Sequence, residues 1–228
     1  MEDVMKRTRL IWLVLITLAT ATPPAWAQVG PVKPREPMDA MSYFRLGVGH
    51  FKANRHMEAV EAYKQAIRLK PDFAGAYHNL GYVYDELGRY KEALESYKHA
   101  VQLIPNDPGM YSNMAVTYRK MGRYKEAVAA CKQAINLRPD LAEAHNNLGV
   151  AYYKMGRSRE AIESYKQAIS LKPDYAEAYF NLGVVYLSAK NKAAALEQHT
   201  MLKTLDQKLA GEFFNVIYKD RVLSVSPK

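Results

Sequence analysis

A single cysteine, Cys131, stands among 228 residues, so an intrachain disulfide framework and any CxxC metal or haem site are excluded, since each needs at least two sulfurs. Stability therefore rests on packing. Histidine is also sparse, and none of the six lies in an H-E-x-x-H or other metal-ligand spacing. A P-loop, a G-x-S-x-G elbow and a dinucleotide-binding fingerprint are all missing. No catalytic residue, metal site or cofactor is expected, and an enzyme is not the expected class. Long blocks of one charge are lacking too. The 32 basic residues outnumber the 23 acidic ones but stand singly among them. That pattern describes a solvated surface with a mild preference for acidic partners, and nucleic acid is not expected among them.

The first residues read as an address. Lys6, Arg7 and Arg9 form a basic segment, and Leu10 to Ala19 form an apolar stretch too short to span a bilayer comfortably. Ala25-Trp26-Ala27 is an A-x-A cleavage signal, which predicts a signal peptide over residues 1–27 and a mature chain starting at Gln28. A glutamine there, rather than a cysteine, excludes a lipoprotein anchor. An uncleaved membrane anchor is the alternative; the short apolar run and the Pro23-Pro24 break favour cleavage. Cleavage leaves no integral membrane span and 29 basic against 21 acidic residues, a net charge of +8. A periplasmic or secreted location follows as the expectation.

Behind a Pro-rich linker (28–39, with Pro31, Pro34 and Pro37) the chain repeats itself. Asn-Leu-Gly occurs at Asn79-Leu80-Gly81, Asn147-Leu148-Gly149 and Asn181-Leu182-Gly183, with Asn113-Met114-Ala115 at the missing step, a spacing of 34 residues throughout. Arg45-Leu46-Gly47 opens the series. Five units run without insertion over 40–73, 74–107, 108–141, 142–175 and 176–209. Each predicts two helices. In the second unit Tyr77, Leu80, Gly81 and Tyr84 share one helical face, and Ala93, Tyr97, Ala100 and Val101 share another. Gly88, Gly122 and Gly156, with Asn54 in the first unit, suit a left-handed helix end. Pro71, Pro105, Pro139 and Pro173 end the second helix, and Asp72, Asn106, Asp140 and Asp174 stand near the next start.

Gly47, Gly81, Gly149 and Gly183 fall inside the first helix, where each costs about 1 kcal/mol relative to alanine. Close contact with the second helix is the compensation expected, against Ala59, Ala93, Ala127, Ala161 and Ala195. Tyr63, Tyr97, Cys131 and Tyr165 fill the next gap, which makes Cys131 a buried, inert thiol rather than a nucleophile.

With these positions in place the units resemble tetratricopeptide repeats: aromatic-x2-Leu-Gly-x2-Tyr, then Ala-x3-aromatic, Ala and Pro. The likeness covers residues 40–209. His50, His145, Lys190, His199, Leu202 and Gln207 depart from the pattern, and those in unit five suit a terminal repeat. The resemblance implies an all-α, right-handed superhelical solenoid of five helix pairs, followed at 210–228 by a capping helix and tail. Leu205, Leu209, Phe213, Phe214, Ile217 and Tyr218 supply the apolar face of that cap. It further implies a concave groove, lined by the first helices, that binds a protein or extended peptide. The groove is expected to present Phe44, His78, Tyr82, Tyr153 and Phe180, with Val48, Phe51, Ser112, Val116, Asn146, Val150 and Val184 between them. Lys and Asn are missing from two places where cochaperones of this family hold a terminal carboxylate. Asn79, Asn113, Asn147 and Asn181 recur once per unit, similar to the asparagine ladder in the repeat domain of O-linked N-acetylglucosamine transferase. Such carboxamides suit a peptide backbone because they both donate and accept; bracing between neighbouring units is the alternative role. The expected function is a scaffold or adaptor in a bacterial cell envelope, or, as the alternative, an accessory subunit of an envelope enzyme or of a secretion or polysaccharide assembly complex.

Export predicts that protein recovered from its native host begins at Gln28. Intact mass measures this directly, and a soluble cytoplasmic product retaining residues 1–27 would refute it.

Overall fold

The computed structural model describes residues 38–222. The signal segment, nearly all of the Pro-rich linker and the last six residues lie outside the described residues. Helices occur in five pairs: α1 (Ala40–Lys52) with α2 (His56–Leu69), α3 (Ala74–Glu86) with α4 (Tyr90–Leu103), α5 (Pro108–Lys120) with α6 (Tyr124–Leu137), α7 (Ala142–Lys154) with α8 (Ser158–Leu171), and α9 (Ala176–Ser188) with α10 (Lys192–Leu205). α11 (Gln207–Val222) follows at once and packs on α10 and α9. Its first turn falls within the stretch that the 34-residue period assigns to unit five. Among the described residues no helix is long and apolar enough to cross a membrane.

Each helix packs on its predecessor and its successor, and the first helices also touch one another, α3 with α5, α5 with α7 and α7 with α9. The turn inside each unit requires a left-handed residue. Gly88, Gly122 and Gly156 supply it at φ of 72–74°, Asn54 at 56°, and Lys190 at 59°. A lysine there costs about 1–2 kcal/mol relative to glycine, a cost carried by the last unit alone. The turn places Arg89, Arg123 and Arg157 over the rings of Tyr84, Tyr118 and Tyr152, at 4.5–4.9 Å. The same arginines reach Glu92, Glu126 and Glu160, which fixes the start of each second helix.

Helix starts differ from the expected capping. Asp39 and Asp107 cap α1 and α5 through the Ser42 and Gly109 amides. Phe73, Leu141 and Tyr175 hold the corresponding place in α3, α7 and α9 without a side-chain hydrogen bond. The chain there favours apolar packing, as where Phe73 lies 4.9 Å from Phe44, over a polar cap.

The contact that explains the helical glycines also differs from expectation. A Cβ at Gly47, Gly81 or Gly149 would lie 2.7–2.8 Å from the ring of Tyr63, Tyr97 or Tyr165. It is therefore chiefly the aromatic ring of the second helix, rather than the alanine, that occupies the space; the backbone oxygen of Ala93 adds a second contact at Gly81. Burying such a ring contributes on the order of 1.5–3 kcal/mol, enough to outweigh the glycine's cost. In unit five His199 replaces the tyrosine, and Phe213 of α11 covers Gly183 instead. Phe213 and Ala210 are buried, whereas Phe214, expected on the same face, points away and is exposed. Unit three carries the compensated pair: Ala115 replaces the glycine and Cys131 replaces the ring, both buried.

Unit one lacks one half of this packing. Places held by Ala76 and Val83, Met110 and Thr117, Ala144 and Ala151, or Ala178 and Val185 are buried against the preceding unit. The same places in α1 hold Ser42 and the exposed Gly49, where an added Cβ meets nothing within 4 Å.

Two alanine substitutions should therefore act in opposite directions. Gly149→Ala, which must displace the buried Tyr165 ring, should lose about 1–3 kcal/mol. Gly49→Ala should gain about 0.5–1 kcal/mol through helix propensity. Thermal or denaturant melts that shift the same way in both variants would contradict the ring-over-glycine packing.

Candidate functional site

The first helices form one layer, and their facing side chains make up its surface. Phe44 packs against Tyr63 and Phe73, with ring centroids 5.7 and 4.9 Å away. Phe51 meets Tyr82 edge-on at 5.4 Å, and Phe180 rests on Phe213 at 5.3 Å. Phe44, Tyr153 and Phe180 are half-buried, while Tyr82 keeps 41% of its surface exposed. Of the expected aromatic positions, Tyr82 is the one that offers a broad free ring.

The amides are largely engaged within the array. Asn79 donates to the Tyr63 hydroxyl at 3.3 Å, Asn113 to His78 Nε2 at 2.8 Å, and Asn181 to the Asn146 oxygen at 3.1 Å. Each bond joins neighbouring units. The Asn113 bond requires His78 Nε2 to accept, hence a neutral ring protonated at Nδ1; burial favours that form by lowering the histidine pKa. Asn146, almost wholly buried, also donates to the Tyr175 hydroxyl and Glu177 at 3.4 Å. Burial drives the Tyr175 hydroxyl pKa up to about 12, so it stays protonated. Asn147 differs from its siblings: its amide makes no hydrogen bond to another described group. Neither sibling arrangement is offered to it: Cys131 stands where Tyr63 gives Asn79 a hydroxyl, and the short Ser112 stands where His78 and Asn146 receive Asn113 and Asn181.

Three groups that the periodicity did not single out also face this layer. Asp85 is buried, accepts from Thr117 Oγ1 at 2.8 Å and pairs with Lys120, which ties unit two to unit three. Their sequence signal is positional: Asp85 lies three residues beyond Tyr82, and Lys120 four beyond Val116, on the face the groove uses. Arg119, three beyond Val116, shares that face. The Cys131 thiol is buried, and burial raises its pKa to about 12, so it stays protonated at neutral pH. Among the described residues no cluster of three or more His, Cys, Asp or Glu could hold a metal.

Crevices also open between the two helices of a unit. One lies at Tyr43, Leu46 and His50, one at Tyr111, Met114 and Tyr118, and one beside Tyr152, Ile162 and Glu163.

The tetratricopeptide repeat pattern matches residues 74–107 and 142–175, the frame of units two and four, and related TPR repeat patterns match 49–88, 117–156 and 164–197. The chain belongs to the tetratricopeptide repeat family. No curated protein sequence matches it at a significant level. Among solved structures it is similar to MamA, with 26% identity over 73% of this chain and 97% of that one and a TM-score of 0.67. It is also similar to YrrB, a TPR protein with an unusual peptide-binding site, with 25% identity over 76% and 91% of the two chains and a TM-score of 0.62. A thermophilic TPR protein of Thermus thermophilus shares 26% identity over 77% and 97%, again with a TM-score of 0.62. The fold is thus an all-α tetratricopeptide solenoid, and its class is that of a protein-interaction scaffold.

The hydrogen bonds separate the asparagines by role. Asn113→Ala should lower stability by about 0.5–1.5 kcal/mol, because the buried His78 nitrogen loses its donor. Asn147→Ala, with no bond to lose, should melt with the wild-type chain. Equal destabilisation of both variants would contradict this division.

Proposed function

We propose that this chain is a scaffold of the bacterial cell envelope that holds a protein or extended peptide in the groove lined by α1, α3, α5, α7 and α9. The observation that carries the reading is the surface of that layer. An exposed Tyr82 ring, backed by Phe51, and the free amide of Asn147 stand on the layer of first helices, while the cores of the units are closed. Tyrosine suits such a role because it offers large contact area and a hydroxyl at low conformational cost. The peptide-binding site of YrrB supports the reading, and the A-x-A signal before Gln28 supports the location. The reading assigns the chain a holding role, since repeats of a protein-interaction scaffold account for nearly all of the described chain. Of the asparagines, Asn147 has the free amide for a ligand; the other three contribute chiefly by keeping neighbouring units in register.

Site-specific photo-crosslinking tests where the partner sits. A crosslinker at Tyr82 in the full chain, expressed in the native host, should capture one or a few envelope proteins. The same group at Glu163, on the crevice beside α8, should capture little. Crosslinks from Glu163 with none from Tyr82 would move the binding surface to the inter-helix crevices. A stoichiometric envelope enzyme or assembly complex among the captured proteins would make the chain its accessory subunit.

A further inference from the structure

The five units place the same pair of positions face to face at each step of the groove, and these positions can be compared directly. Between units two and three, Asp85 on α3 meets Thr117 and Lys120 on α5, an acid satisfied by a hydroxyl and an ammonium. Between units three and four the equivalent residues are Arg119 on α5 and Ala151 and Lys154 on α7. A base has replaced the acid, and the hydroxyl has gone. The lysine facing it is kept.

The consequence is a step with two cations and no carboxylate at the equivalent places. Arg119 is half-buried; its Nε is sealed from solvent without a hydrogen-bond partner. Neither Arg119 nor Lys154 forms an ion pair with any described group. Asn147, on the same helix as Lys154, is the asparagine whose amide makes no hydrogen bond to another described group; Cys131 stands, relative to it, where Tyr63 gives Asn79 a hydroxyl two units earlier. The Arg119 guanidinium lies near enough to the Cys131 thiol and the Tyr165 hydroxyl to oppose the effect of burial on both. The other sealed and unpartnered atoms, Nδ1 of His50 and of His56, both belong to unit one and to neither of these helices.

We propose that this step is an acid-reading subsite of the groove: Arg119, assisted by Lys154 and Asn147, receives a carboxylate of the bound peptide. The proposal rests on the groove reading above and adds the chemistry of the partner, an acidic peptide. A carboxylate supplies what the step lacks, since it accepts several bonds at once and matches the planar guanidinium. The side chain is only half-buried, so the part of the guanidinium beyond the sealed Nε is what a ligand can reach, and a charge-assisted bond to it is stronger than a neutral one. Phosphate esters share the charge, but two coplanar carboxylate oxygens are the match for one planar guanidinium with a single ammonium at the same step.

The test uses the full mature chain and three pools of short peptides with randomised flanks. The first two have amidated C-termini and a central Glu or a central Gln; the third has central Gln and a free C-terminus. Wild-type protein should retain the Glu pool over the amidated Gln pool by about tenfold, the effect of one charge-assisted hydrogen-bonded contact. Arg119→Gln should bind both pools alike, at the level of the Gln pool, and should melt no lower than wild type because Arg119 makes no bond within the fold. Preference for the free-C-terminus pool that vanishes in Arg119→Gln also supports the subsite and assigns the carboxylate to the chain end. A Glu preference unchanged in Arg119→Gln, or no Glu and no C-terminal preference in wild type, overturns the subsite and leaves the groove standing. Retention of no pool by either protein overturns the groove reading and the subsite with it. A lower melting temperature in Arg119→Gln with unchanged selectivity makes Arg119 a packing residue and overturns the proposal.

Discussion

An aromatic ring lying directly over a backbone without a side chain sets the distance between the two helices of units one, two and four, and the other contacts follow from that distance. Tyr63, Tyr97 and Tyr165 approach the places of Gly47, Gly81 and Gly149 so closely that a methyl group would not fit. The ring spans the interface, while buried alanines such as Ala59, Ala93 and Ala161 remove bulk around it. Where the chain departs from the pairing, it restores the volume by another route. Ala115 with Cys131 exchanges a small and a large residue for two of intermediate size, and Phe213 enters from α11 where His199 does not cover Gly183. The capping helix is therefore part of the fifth unit's core, and its first turn belongs to the last repeat as much as to the cap.

Helix pairs held at one spacing stack with one geometry, and this turns a repeated sequence into a repeated surface. Each step of the groove brings the same places of adjacent units together, so a side chain is judged by what its counterpart finds. Phe51 finds Tyr82, and Asp85 finds Thr117 and Lys120. Arg119 finds no acceptor, and Asn147, unlike Asn79, has no tyrosine hydroxyl to use. A substitution in the core, cysteine for tyrosine at Cys131, thus changes the chemistry of the groove. At Tyr63 core and surface are coupled, because the ring that covers Gly47 also presents its hydroxyl to Asn79 of the next unit.

Much of the architecture was legible in the residues. The period of 34, the helical spacing within units, the left-handed turn residues and the terminal departures all encode local geometry, which a sequence states directly. The site was legible in position more than in role. Tyr82 lies free, as its place in the pattern implies, but Asn79, Asn113 and Asn181 present amides already engaged by neighbours, and Phe44 and Phe180 are packed on other rings. Periodicity marks a position as shared between units. It does not say whether a hydrogen-bond partner stands opposite.

Sequence by itself determined the repeat period and the class of fold, because each depends on residues close in the chain and on a pattern that recurs along it. Tertiary structure decided which glycine contact is real, which amides are free and where charge lacks a partner. Those outcomes depend on residues about one unit apart along the chain, such as Asp85 and Lys120 or Asn113 and His78, whose approach exists only after the helices have stacked. Whether a polar group is satisfied is a property of the pair, and no single residue carries it.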